Sequence, residues 1–419
     1  MGQVSGTRFA LTGATLIAIS FGLARFAFGL FVPQIRADLE ISANTIGVIA
    51  ALPLISFGFI SLAASLVTKY FGARNTTVLS ALFSVFGLAT VSQATGPISL
   101  GLGVFACGIC TGLMMPALTS AMQALVDRSI HGRVSSVMNA GTSIGVALSV
   151  PAVLFLVGAW RYAYLSFTVI AVIGVLLAWY LIPSVSRLTP SNVAPPPKIK
   201  ARQWWRLLKL SLFAFAMGFI ASAYWTFGPD LVTNLGSLSS QQSGWLWLAL
   251  GIAGLGGAII SDLADRNNPA ITHALMLMML TTSLTVLAAS PSQIYLAVFS
   301  ALIFGLAYMS LTGLYLMTGI RLLPGRLSMG PVLPFVACAL GQAAGSPIIG
   351  LLVGEFGYAE SFSIFAAVGV LIALISPFYP GHTEHEGDIP EEETGLQAAF
   401  DNQLQDEEGE PLESNSVEQ

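Results

Sequence analysis

This sequence predicts an all-α membrane protein, with twelve transmembrane helices arranged as two pseudo-symmetric six-helix bundles. Three observations lead there. First, 55% of the 419 residues are apolar and only 9% are charged, with a mean hydropathy of +0.78. A water-facing surface needs about a quarter charged residues, so this outer surface has to meet lipid. Second, apolar runs of about twenty residues, enough to cross a bilayer, recur along the chain. Third, the later runs repeat features of the earlier ones in the same order.

The first six spans read as Thr12–Val32, Thr45–Val67, Thr76–Gln93, Ile98–Leu125, Val134–Val157 and Tyr162–Ile182. The second six read as Leu207–Gly228, Gly244–Ser261, Ile271–Ala289, Ser292–Ile320, Ser328–Val353 and Ser361–Phe378. Span 1 contains Arg25 and lacks a small-residue cleavage site, so it is read as a span and not as a removed signal peptide. Between the halves, Pro183–Arg206 holds Pro195-Pro196-Pro197 and five bases, which stops helix continuation and suits a cytoplasmic linker. The expected organisation is a bundle over 1–182, a linker over 183–206, a bundle over 207–379 and an acidic tail over 380–419.

Three matches carry the internal repeat. Phe26-Ala-Phe-Gly29 in span 1 answers Trp225-Thr-Phe-Gly228 in span 7. Gly141-Thr-Ser-Ile-Gly145 in span 5 answers Gly341-Gln-Ala-Ala-Gly345 in span 11, and Val172–Ala178 in span 6 answers Ala367–Ala373 in span 12. Their offsets of 199, 200 and 195 are nearly constant. A duplicated six-span unit is a carrier architecture, with its site between the halves near the bilayer midplane.

The bases set the orientation. With a cytoplasmic N-terminus, fourteen Lys and Arg fall inside and only Arg36 and Arg161 outside, Arg25 lying within span 1. That positive-inside bias puts both termini in the cytoplasm. Trp160, Trp179, Trp204, Trp205, Trp245 and Trp247 lie near span ends and read as an interfacial belt. The tail carries thirteen of the 21 acids and no Lys or Arg; it is expected to be disordered and dispensable for transport.

Arg25 is the first candidate for binding. It lies about 20 Å into span 1 and about 10 Å from the outer end, at about 1.5 Å per residue. A charge there costs at least about 2.5 kcal/mol, so it should face a cavity, a partner or water. Gly22 and Gly29 flank it at i−3 and i+4, and no Asp or Glu lies in any span. An anionic substrate is then the natural counter-charge; the competing reading is an arginine snorkelling to the interface. Thr111, Asn139, Tyr224, Trp225, Tyr308 and Tyr315 are candidate substrate-lining side chains. Asp230, just past span 7, is the nearest candidate for proton coupling, and otherwise reads as a solvated cap. Cys107-x-x-Cys110 sits in apolar sequence and reads as packing. His131 and His273 lack partners at ligand spacing, so no metal is expected, nor any cofactor, nucleic-acid partner or enzymatic activity.

Ser261-Asp-Leu263-Ala-Asp265-Arg266 resembles the Gly-x-Leu-x-Asp-Arg loop motif of the major facilitator superfamily, with Ser for Gly. The matching loop between spans 2 and 3, Ala64-Ser-Leu66-Val-Thr68-Lys69 with Phe71-Gly72-Ala73-Arg74, has Thr68 at the acidic position. Trp160-Arg161 also recurs in that family. Phe21–Pro33 resembles bacterial members loosely grouped with sugar-efflux, cyanate and purine permeases. The resemblance implies a monomeric carrier in the plasma (cell inner) membrane, working by alternating access as a symporter or antiporter, with a coupling proton or an exchanged anion. It implies conformational roles for Asp265, Arg266, Lys69 and Arg74, with Arg133 marking the helix start that Asp265 would face. Arg25 also resembles the span 1 Arg that binds the anion in organophosphate–phosphate antiporters. Their second Arg, in span 7, is replaced here by Tyr224, which favours a monoanion. Gly145-Val146 lacks the antiporter proline, and Val104 stands where many members carry Arg. Proton-coupled efflux of a neutral metabolite or drug, and a non-transporting sensor, stay open.

Overall fold

The run of apolar residues that starts the chain forms one continuous rod, α1 (Gly6–Leu39), and eleven more follow. They are α2 (Ala43–Phe71), α3 (Ala73–Ser92), α4 (Pro97–Leu125), α5 (His131–Phe155) and α6 (Trp160–Leu181). The second half supplies α7 (Ala201–Asn234), α8 (Ser240–Arg266), α9 (Pro269–Ala289), α10 (Ile294–Leu322), α11 (Val332–Phe356) and α12 (Tyr358–Leu374). This computed structural model describes residues 5–156, 158–183, 199–266, 268–323 and 329–380, and all of their side chains except those of 128 and 258–266. The described residues contain no strand. Met1–Gly381 forms one compact unit. The acidic tail and most of the proline-rich linker lie outside the described residues, and so do the expectations made for them.

The rods have local causes. Ser42 accepts the Thr45 N–H at 3.2 Å and starts α2, and Asn268 accepts from Ala270 at 3.0 Å and starts α9, as N-caps do. Pro151 interrupts α5, which runs as His131–Leu148 and then Val150–Phe155. Pro33 lies inside α1. The largest departure from regular helix is in α1, where Ala18–Phe26 is a π-helix. Such segments are rare and recur at functional sites; nothing in the expected span pattern announced it.

The repeat seen in sequence is a repeat of packing. Gly141 and Gly145 on α5 let that helix approach the carbonyls of Ala14 and Ala18 on α1. Gly341 and Gly345 on α11 do the same against Phe215 and Phe219 on α7. Phe26 and Trp225, which the first match pairs, touch in a tilted ring contact with centroids 4.3 Å apart. The two motif copies therefore face each other across the centre of the molecule.

We call the end where α1 begins the near end and the opposite one the far end. Helices of the two halves meet closely toward the far end. A Cβ on Gly29 of α1 would overlap the Trp225 carbonyl of α7, and one on Gly47 of α2 would overlap that of Ser346 on α11. Near the far end, Arg161 pairs with Asp38 and donates to the Ala94 carbonyl at 2.8 Å, tying α6 to the end of α1.

Several expectations need correction. Trp160 and Trp247 are fully buried and not interfacial; the Trp247 indole N–H donates to the Phe26 carbonyl at 3.2 Å. Trp179, Trp204, Trp205 and Trp245 are exposed, as a belt requires. α7 begins at Ala201, inside the expected linker, and runs past Gly228 to Asn234. That extension puts Asp230 within a helix, where it is buried and not a solvated cap.

Candidate functional site

Arg25 is on the π segment of α1, and only 8% of it is exposed. Its guanidinium carbon lies 4.7 Å from the Phe57 ring centre and 4.9 Å from that of Phe26. Cation–π contact stabilises such a charge by about 0.5–2 kcal/mol but offers no lone pair. The Nε atom is buried without a hydrogen-bond partner. Among the described residues no carboxylate pairs with Arg25. An arginine turned inward, among aromatic rings, is not snorkelling to an interface.

The same side chain lines a cavity of about 40 Å³, which is room for a few waters, bounded by α1, α2, α7 and α11. Helices from both halves thus build it, as a repeat-interface site requires. Its other polar walls are Ser222, Trp225 and Thr226 of α7 and Gln342 and Ser346 of α11. The Thr226 and Ser346 hydroxyls bond each other at 3.2 Å. Ser222 donates to the Phe219 carbonyl at 2.7 Å, and Gln342 Nε2 donates to the Tyr308 hydroxyl at 2.6 Å. Sequence reasoning passed over Ser222, Thr226, Gln342 and Ser346. Their spacing of four along α7 and along α11 puts each pair on one helix face, and that was the signal available.

The other candidates divide. Tyr308 stands behind the cavity wall, edge-on to Trp225 at 5.2 Å. Tyr224 turns away from it, stacking on Phe304 at 4.1 Å and meeting the Ser300 hydroxyl at 3.3 Å. Thr111 donates to the Gly108 carbonyl of its own helix at 2.9 Å, and Asn139 is exposed. Tyr315 belongs to a separate box in the second half, meeting His273 Nε2 at 2.9 Å, while His273 Nδ1 meets Ser376 at 2.7 Å. His273 is thus a buried, hydrogen-bonded core residue. Lys69 and Arg133 are exposed, and the Arg74 guanidinium lies 4.3 Å over the Trp179 ring. The side chains of Asp265 and Arg266, at the end of α8, lie outside the described residues.

A second polar cluster closes the far end. Arg36 on α1 pairs with Asp230 on α7, and its Nη1 donates to the Tyr358 hydroxyl of α12 at 2.6 Å. Tyr358 in turn donates to Asp230, and Asn234 Nδ2 donates to Asp230 Oδ1 at 2.8 Å. Asp230 is wholly buried while the Arg36 side chain keeps 23% of its surface exposed. The cluster is a three-helix knot joining the halves.

Twelve apolar rods, paired by a repeat and enclosing a small cavity at the repeat interface, define a polytopic membrane protein. A family model described as Major Facilitator Superfamily matches residues 14–329, and the chain belongs to that superfamily. It is 26% identical over 264 residues to the "Uncharacterized transporter YycB" of Bacillus subtilis (strain 168), covering 61% of this chain and 64% of that one. It is 26% identical over 259 residues to the "Hexuronate transporter" of the same organism, covering 57% and 61%. The chain thus spans less than two thirds of the length of either relative. Its fold is like that of the crystal structure of a D-xylose-proton symporter, with a TM-score of 0.73, 16% identity, and 90% and 99% of the chains covered. This is a multi-pass membrane protein of the Major Facilitator type.

Proposed function

We propose that the protein is a secondary active transporter that carries a small organic monoanion across the plasma membrane by alternating access, with Arg25 as the anion site. The observation that carries this is a buried arginine in the central cavity with no carboxylate partner among the described residues. A guanidinium in such a place binds an oxyanion through a planar fork, and one unpaired cation suits one negative charge. A relative named for hexuronate, itself a carboxylate, supports an anionic cargo. The carrier works as a monomer with both termini in the cytoplasm, which makes the far end the outer one. The bundles over 1–182 and 207–379 rock against each other, Asp265 and Arg266 bias that motion from the loop after α8, and Asp230 in the outer knot is the candidate for a coupling proton.

The test is counterflow of radiolabelled carboxylates in proteoliposomes. Arg25→Lys keeps insertion and weakens transport by about tenfold, since a point charge replaces a fork; Arg25→Ala nearly removes it. Normal transport by Arg25→Ala, or a cationic cargo, overturns the reading. Absence of flux with retained ligand binding marks a sensor instead.

A further inference from the structure

Each polar side chain that lines the central cavity has an account of its hydrogen bonds, and two of these accounts do not balance. Ser222, Thr226, Gln342 and Ser346 all have protein partners within 3.2 Å. Arg25 Nε and Trp225 Nε1 have none. Both residues are more than nine-tenths buried, at 8% and 7% exposure, and both line the same small cavity. An unpaired N–H withdrawn from water carries a desolvation penalty that an acceptor in the cavity removes. The indole ring of Trp225 is held on four sides, by Phe26, Tyr308, Phe304 and Trp247 at centroid distances of 4.3 to 5.7 Å, so its N–H direction is fixed. Its neighbour Trp247 shows the contrast, since that indole already donates to Phe26.

We propose that Arg25 and Trp225 form one clamp with an arm from each repeat, and that the cargo is a compact monocarboxylate bearing a second acceptor oxygen close to its carboxylate, as in a 2-oxo acid. Arg25 takes the carboxylate. The Trp225 indole N–H takes the second oxygen. Because the two donors come from α1 and α7, the bound anion itself joins the halves at the cavity. A second cation is lacking for a dicarboxylate, and a cation or a donor-only ligand leaves both N–H groups unpaired. This rests on the anion reading above and refines it.

The experiment measures binding of 2-oxobutanoate and of butanoate, both singly charged at neutral pH, to the purified full-length protein by calorimetry. In the unmodified protein the oxo acid is expected to bind about tenfold tighter, the worth of one well-placed hydrogen bond. Trp225→Phe, which keeps a ring and removes the N–H, abolishes that preference while butanoate binding persists and reports a folded site. Trp247→Phe retains the preference. Arg25→Gln loses both ligands. A preference that survives Trp225→Phe, or equal binding of the two acids that still depends on Arg25, overturns the clamp and leaves the anion reading standing. Failure of both acids to bind, or binding indifferent to Arg25→Gln, overturns both.

Discussion

A charged side chain stands out in apolar sequence, and Arg25 was legible for that reason alone. What sequence could not show is how its charge is kept: the guanidinium carbon lies over the rings of Phe26 and Phe57, which attract the cation but supply no lone pair to its N–H groups. Aromatic residues are too common in spans to reveal which ones do this. Tyr224 and Tyr308 were equally plausible by spacing, yet only Tyr308 supports the cavity, by accepting from Gln342. Tyr308→Phe removes that acceptor and frees the amide of Gln342 to turn. A buried donor losing its partner costs about 1–3 kcal/mol, so carboxylate affinity should fall by about tenfold, read by calorimetry, with thermal stability lowered in parallel. An unchanged affinity would separate Tyr308 from the site.

Among the elements, α1 and α7 carry most of the chemistry, and their ends were read less well than their middles. Hydropathy marks where lipid is met and so it ended span 7 at Gly228. The helix continues because Asp230 finds Arg36 and Tyr358, partners that lie far off in sequence, and Asn234 one turn further along α7. Asp230→Asn keeps the shape and removes the charge. Breaking a fully buried pair costs about 3–5 kcal/mol, and less here because Arg36 still meets solvent, so the closed far end should lose about 1–3 kcal/mol. With a cysteine at Ala50 in the cavity wall, an impermeant maleimide applied from outside should label the Asp230→Asn protein faster; equal rates would show that the knot does not hold that end shut. At the opposite side, Asp265→Asn is expected to raise labelling of the same cysteine from the cytoplasmic face, because a carboxylate near a helix start is worth about 0.3–2 kcal/mol. No shift would count against a latch in the loop after α8.

For the whole molecule, the repeat was the most informative signal, because small residues recur where backbones must touch. Gly141 and Gly145, with Gly341 and Gly345, were found as letters and turned out to be matching helix crossings. Orientation rests on the distribution of bases, and removal of the chain beyond Pro380 should leave counterflow rates within about twofold, since that segment carries thirteen acids and no Lys or Arg and none of the residues that line the cavity. Loss of flux with normal insertion would give the tail a working role. The π segment Ala18–Phe26 links these scales. Its bonds each enclose one residue more than those of an α-helix, so α1 stores a surplus of winding between the crossing at Ala14 and the knot at Arg36. Drawing that surplus out by one residue would advance everything beyond it by about 1.5 Å and turn it by about 100°. Arg36 could not stay on Asp230 through such a turn. On the proposed anion reading, a ligand that pulled on Arg25 would act on the phase of a helix whose other end is bolted, and a local change of pitch at the centre would become an unfastening at the rim.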